Sequence, residues 1–160
     1  MRALILLAAI SLASCGFQLR EAAKLPFDTV YVPGDGGIAL DLKRNIRAGT
    51  RATVVDNAKQ AQAVMEFTRE ERQKVILSLT ATGRVREFQL RYIVGFRVVD
   101  NKGRDYVPQS TIELTRDITF NDAEVLAKES EEQLLYRDMQ NDMVQQIMLR
   151  LAAAKRPASG

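Results

Sequence analysis

Phe88-Gln89-Leu90-Arg91-Tyr92-Ile93-Val94-Gly95-Phe96-Arg97-Val98 is the most regular stretch of the chain. Phe88, Leu90, Tyr92, Val94, Phe96 and Val98 fill the even positions, while Glu87, Gln89, Arg91, Ile93, Gly95 and Arg97 fill the odd ones. Side chains of a strand point alternately to opposite faces, so this period of two predicts one long strand with a buried face and a largely polar one. A strand of that length cannot stand alone, and the flanking sequence supplies partners. Downstream, Asp100-Asn101-Lys102-Gly103 predicts a turn, after which Ser110, Ile112, Leu114, Arg116, Ile118 and Phe120 repeat the alternation. Upstream, Val75, Leu77, Leu79 and Ala81 alternate before a Thr82-Gly83 turn. Strands over about 75–82, 85–99 and 106–120 thus form an antiparallel meander, with Pro108 at the start or edge of the last.

Further upstream, Thr29 to Val32 reads as a first strand closed by Pro33-Gly34, and Ile38, Leu42 and Ile46 recur at helical spacing. Gly49 is placed where a left-handed C-cap is wanted. Arg51 to Val55 reads as a second strand, and Ala63, Met65 and Phe67 alternate in a third. The charged run Arg69-Glu70-Glu71-Arg72-Gln73-Lys74 is taken to separate that strand from the meander. After the meander, Asn121 with Glu124 three residues on predicts a capping box. The long helix that follows carries Val125, Leu126, Leu135, Met139, Val144, Ile147, Met148 and Leu151 mainly on one stripe, with the methionines as core filling. The expected fold is α+β: a two-layer sandwich, an antiparallel-rich mixed sheet of four to five strands with two helices packed on one face.

The N-terminus carries a different signal. Met1-Arg2 precedes the apolar run Ala3 to Ser11, which is too short for the roughly 20 residues of a spanning helix. Leu12-Ala13-Ser14-Cys15 resembles the bacterial lipobox. On that resemblance residues 1–14 are a lipoprotein signal peptide, Cys15 is the acylated residue, 15–24 a tether, 25–154 a single domain and 155–160 a disordered tail. A thiol is the side chain here most readily converted to a diacylglycerol thioether. Gly16, rather than an Asp, follows the cysteine, which in lipoproteins implies the outer membrane.

Composition narrows the chemistry. The 160 residues hold no histidine and one cysteine, which removes Ser-His-Asp and Cys-His catalysis and any nitrogen–sulfur metal site. No phosphate-binding glycine loop is present. Carboxylate-only hydrolysis survives in principle, but most acids fall in turns or on helix faces. With 23 Lys and Arg against 20 Asp and Glu, the balance indicates no nucleic-acid partner. No enzyme activity and no cofactor are expected.

Four local matches, in this order, are similar to the LptE family of lipopolysaccharide-assembly lipoproteins. They are Cys15-Gly16-Phe17-Gln18-Leu19-Arg20; Gly83 with Glu87-Phe88-Gln89-Leu90; Leu126-Ala127-Lys128 with Glu131-Glu132; and Gln145-Gln146-Ile147 with Arg150-Leu151. The resemblance implies a lipid-anchored protein on the periplasmic face of the Gram-negative outer membrane. It implies a plug within an LptD-like β-barrel translocon that assists barrel assembly and delivery of lipopolysaccharide to the outer leaflet. Lipopolysaccharide binding would call on cations for lipid A phosphates, and the candidates are Lys128, Arg84, Arg86 and Arg91. A free-standing periplasmic lipid-binding or inhibitor lipoprotein is the alternative reading.

Overall fold

The computed structural model describes residues 23–157; the proposed signal peptide, Cys15, most of the tether and residues 158–160 lie outside them. The element order is β1 (Thr29–Tyr31), α1 (Gly37–Gly49), β2 (Thr53–Val54), β3 (Ala63–Leu79), β4 (Val85–Asp100), β5 (Asp105–Thr119) and α2 (Val125–Ala153). The five strands form one sheet in the order β2-β1-β3-β4-β5. β1 runs parallel to both neighbours, and β3, β4 and β5 are an antiparallel meander.

The even positions of β4 are the floor of the core: Leu90, Tyr92, Val94, Phe96 and Val98 are all completely buried. Above them lie Ile38, Leu42 and Ile46 of α1 and Met139, Met143, Ile147 and Leu151 of α2. Each large side chain so buried is worth about 1.5–3 kcal/mol of transfer free energy. The helices are joined by amides: Gln140 Nε2 donates to Asp41 Oδ2, and Gln145 Nε2 to Asn45 Oδ1 at 3.1 Å. Those pairs ascend together in both helices, so α1 and α2 run parallel, with both C-termini at the end where β3 begins.

Several expectations are corrected. The charged run 69–74 is no linker, because β3 is one strand of 17 residues that contains it. The register slips at Thr68: Phe67 faces Phe96, but Arg69 already faces Gly95. One extra residue in one strand reverses which face its later side chains occupy. Before the bulge Ala63 and Met65 point into the core; beyond it Glu70, Arg72 and Lys74 lie opposite Val94, Tyr92 and Leu90 on the helix side. Val75 is therefore only half-buried, and Leu77 and Leu79 are exposed rather than forming a core face.

The helix ends differ too. Gly49 does not adopt a left-handed conformation; instead Thr50 closes α1, its N–H and Oγ1 both donating to the carbonyl of Ile46. Asn121 Oδ1 accepts from the Ala123 N–H, two residues on rather than three, and caps a 3-10 turn that precedes α2. Val125 and Leu126 are exposed, so the core stripe of α2 starts only near Leu135 and Tyr136. Pro108 sits in the edge strand, at a second slip, where Phe96 faces Ser110 but Val98 faces Val107.

Candidate functional site

The two hairpins turn alike. Thr80 N–H donates to Arg84 O at 2.7 Å and Gly83 N–H to Thr80 O at 3.0 Å; Asp100, Gly103 and Arg104 repeat this at 2.8 and 3.0 Å. Gly83 and Gly103 both take positive φ, 79° and 76°, where a side chain would be strained. The first of these turns carries Arg84 and Arg86, both exposed, to the end of the molecule away from the helix C-termini.

Lys128 is at that same end. Its Nζ donates to Thr119 Oγ1 at 3.0 Å and to Glu131 Oε2 at 2.9 Å. Arg86 reaches the neighbourhood through its backbone, whose carbonyl accepts from the Phe120 N–H at 2.9 Å. Between them Phe88 and Phe120 meet edge to face, with centroids 5.4 Å apart, and wall a shallow cavity of about 60 Å³ shared with Val125, Lys74 and Lys128. That volume falls well below the several hundred Å³ of a small-molecule pocket, so a large amphiphile would be met at the surface rather than enclosed.

The structure thus gathers Arg84, Arg86 and Lys128 at one end and leaves Arg91 elsewhere. Arg91 projects from the opposite face of the sheet, where Nε donates to Gln89 Oε1 at 2.9 Å and lies 3.9 Å from Glu113 Oε1. Its neighbours there are also compensated. Arg69 is 2.7 Å from Glu71, whose carboxyl is held below its ordinary pKa by that hydrogen bond; Arg97 is 2.6 Å from Glu66. This outward face is a ladder of paired charges on a rigid sheet.

Sequence reasoning missed Lys74 and the apolar tip. Lys74 Nζ is 2.6 Å from Glu132 Oε2 and 4.5 Å above the Phe88 ring. Ile76, Leu77 and Leu79 are exposed to 58%, 46% and 54%, and Leu126 to 80%. Val75-Ile76-Leu77 is apolar on both faces of a strand that has one core face, and that doubling was the available signal.

A polar seam joins the layers nearby. Tyr92 Oη donates to Glu70 Oε1 at 2.7 Å, and burial, reinforced by Glu70, raises the phenol pKa well above its ordinary value. The Arg72 guanidinium lies 5.0 Å from the Tyr92 ring centroid and 5.4 Å from that of Tyr136, and its Nη2 donates to Gln140 Oε1 at 2.7 Å. Tyr136 Oη in turn donates to the Gln73 carbonyl. Arg72, though exposed, is thus held between two rings by contacts within the chain.

Comparison with known proteins agrees with this architecture. The solution structure of an uncharacterized lipoprotein B from Nitrosomonas europaea matches with a TM-score of 0.70 and 45% identity, covering 82% of this chain and 87% of that one. The crystal structure of the rare lipoprotein B from Shewanella oneidensis matches at 0.67 and 25% identity, over 78% and 94% of the two chains. A minor lipoprotein from Acinetobacter baumannii shares the fold at 0.63 and 22% identity, over 87% and 98%. No curated protein matches the sequence. The family model described as LptE, lipopolysaccharide-assembly, covers residues 27–151, from Phe27 before β1 to the last buried leucine of α2. With that match spanning every strand, all of α1 and all but the last two residues of α2, the chain belongs to the LptE lipopolysaccharide-assembly family.

Proposed function

We propose that this is a non-catalytic lipoprotein, acylated at Cys15 and held on the periplasmic face of the outer membrane. There it plugs and helps assemble an LptD-like β-barrel and assists delivery of lipopolysaccharide to the outer leaflet. The observation that carries this reading is the β3–β4 hairpin end, where exposed Ile76, Leu77 and Leu79 stand beside Arg84 and Arg86. Lipopolysaccharide presents acyl chains beside phosphates, and an apolar strip beside guanidiniums matches both halves. Lys128, on the far side of Phe120, extends the basic edge. Arg91 is a weaker contributor, since it projects from the opposite face of the sheet, away from this end, where it is paired with Gln89 and Glu113. The outward face suits a barrel lumen, which is polar and wet.

The test is co-purification of the tagged full-length protein from detergent-solubilised membranes. Recovery of a large heat-modifiable barrel protein supports the plug. A monomer that binds lipopolysaccharide with no barrel partner replaces it with the free-standing lipid-binding reading. A mass increment on the Cys15 peptide tests the anchor separately.

A further inference from the structure

The end of the molecule opposite the β3–β4 hairpin is the end at which the described chain begins. Ala23 bridges to Thr50, and its N–H donates to the Gly49 carbonyl at 2.8 Å. Arg156, just past α2, donates to the Pro26 carbonyl at 3.3–3.4 Å, which brings the end of the described chain to its start. Around this junction lie Lys24, Arg47, Arg51, Lys155 and Arg156, all exposed. Lys59 shares a surface depression with Asn101 of the β4–β5 turn, placing Lys59 and Lys102 at the same end.

The local carboxylates do not neutralise these charges. Asp100 is committed to Arg104, at 2.7 Å. Asp105 lies near Arg97, leaving exposed Asp28 and Asp56. Seven cations thus face three carboxylates outside the Arg104–Asp100 pair, and none of the seven is in a salt bridge among the described residues. The hairpin end, by contrast, sets Glu87, Glu124, Glu129, Glu131 and Glu132 beside Lys74, Arg84, Arg86 and Lys128. The negative helix C-termini at the basic end account for Arg47, Arg51 and Lys155, which lie within a turn of them. They do not account for Lys24, Lys59 or Lys102, which lie off the two α-helices.

We propose that this basic end is a docking surface for the anionic phospholipid headgroups of the membrane to which the chain is tethered. The inference rests on Cys15 as the anchor. Seven residues, and so eight Cα-to-Cα steps, separate Cys15 from Ala23, a reach of at most about 29 Å for extended chain. The first structured residues and their cations are therefore confined to the membrane surface. Acyl chains supply the affinity, and the cations set orientation: the basic end faces the headgroups and the hairpin end points away. Each cation within a Debye length of an anionic surface strengthens binding on the order of fivefold.

The test uses the full chain with Cys15→Ser, so that partitioning reports the domain and not the anchor. Flotation with vesicles of phosphatidylethanolamine and phosphatidylglycerol is compared with vesicles of phosphatidylethanolamine and phosphatidylcholine. Binding is expected only to the first, lost in about 1 M salt where the Debye length shrinks to about 3 Å. Lys24→Glu/Arg51→Glu/Lys155→Glu should weaken it by about a hundredfold or more, with circular dichroism unchanged. Arg84→Glu/Arg86→Glu should leave it intact. Equal binding to both vesicle types, or equal loss from reversal at either end, overturns the proposal. So does a triple variant that loses only lipopolysaccharide binding, which would make the patch a second lipopolysaccharide contact. Cys15 acylation and barrel recovery are read independently, so failure here is distinct from failure of the lipoprotein reading.

Discussion

Thr68 and Gly95 occupy the same space from opposite strands: a Cβ on Gly95 would lie 2.7 Å from Thr68 Oγ1 and 3.2 Å from the Arg69 Cβ. The hydroxyl of Thr68 also accepts a hydrogen bond at 2.6 Å from Gln109 Nε2, so β3 reaches β5 across the intervening strand, over the glycine. The bulge that reverses β3 is locked by this bridge. Gly95→Ala should destabilise the domain by about 1–3 kcal/mol, the usual cost of overpacking. Adding Thr68→Ala should return part of the loss. Urea denaturation of the two variants checks this, and a loss below about 0.5 kcal/mol for Gly95→Ala would remove the bulge from its proposed role.

Arg72 sits between Tyr92 and Tyr136 and binds Gln140. Arg72→Lys keeps the charge but loses the flat guanidinium that stacks and bonds together, so it should behave more like Arg72→Ala than like wild type. Both should lower stability by about 1–2 kcal/mol. Thermal melts of the three proteins are the measurement; a lysine variant as stable as wild type contradicts the clamp.

The apolar hairpin tip touches no core. Ile76→Ser/Leu77→Ser/Leu79→Ser should change the unfolding free energy of the isolated chain by little, about 0.5 kcal/mol or less per site, because exposed positions carry little packing. Recovery of the barrel partner or binding of lipopolysaccharide should fall sharply in the same variant. Unchanged recovery and unchanged binding would show that the tip serves neither.

The basic hairpin makes a ligand prediction of its own. Arg84→Glu/Arg86→Glu/Lys128→Glu should reduce lipopolysaccharide binding at least tenfold in a pull-down with aggregated ligand, whereas Arg91→Glu should reduce it less. A larger effect from Arg91 would move the ligand to the outward face of the sheet.

With no histidine in the chain, no ordinary side chain titrates between about pH 5 and 7, and melting temperature should be flat there. Asp35, through Lys43, and Glu71, through Arg69, are held below their ordinary pKa values. Burial would raise Asp100, but hydrogen bonds from Arg104 and Lys102 bring it below its ordinary value as well. A lowered carboxyl contributes stability above its unfolded pKa, near 4, and loses it as pH falls through the folded value, so the decline belongs below about pH 4. Tyr92 has the opposite sign: its raised pKa costs stability only as pH climbs past the unfolded value near 10. Melting curves from pH 3 to 11 test both limbs.

How far the fold was legible follows from these residues. The alternation of β4 and the stripe Ile38, Leu42, Ile46 were readable because each element faces one core with an unbroken period. β3 was not, since its period changes phase at Thr68 and its partners there, Tyr92, Gln140 and Glu132, are distant in sequence. Charges satisfied across layers look, in one dimension, like a solvated linker. Lys128 was singled out through its motif; Lys74 had none. The basic end was scattered over five segments that only the fold brings together.

β1 lies between two parallel partners, so its ladder joins Thr29 to Thr53 and Val30 to Ala63, whereas β3, β4 and β5 are joined by tight hairpins. Short loops close at lower entropic cost than long ones. A newly made chain should therefore zip its C-terminal meander before the N-terminal strand is inserted beside it. The end at which the described chain begins then becomes the last part to mature, and pulse-labelled hydrogen exchange should find Val94 and Ile112 protected earlier than Val30.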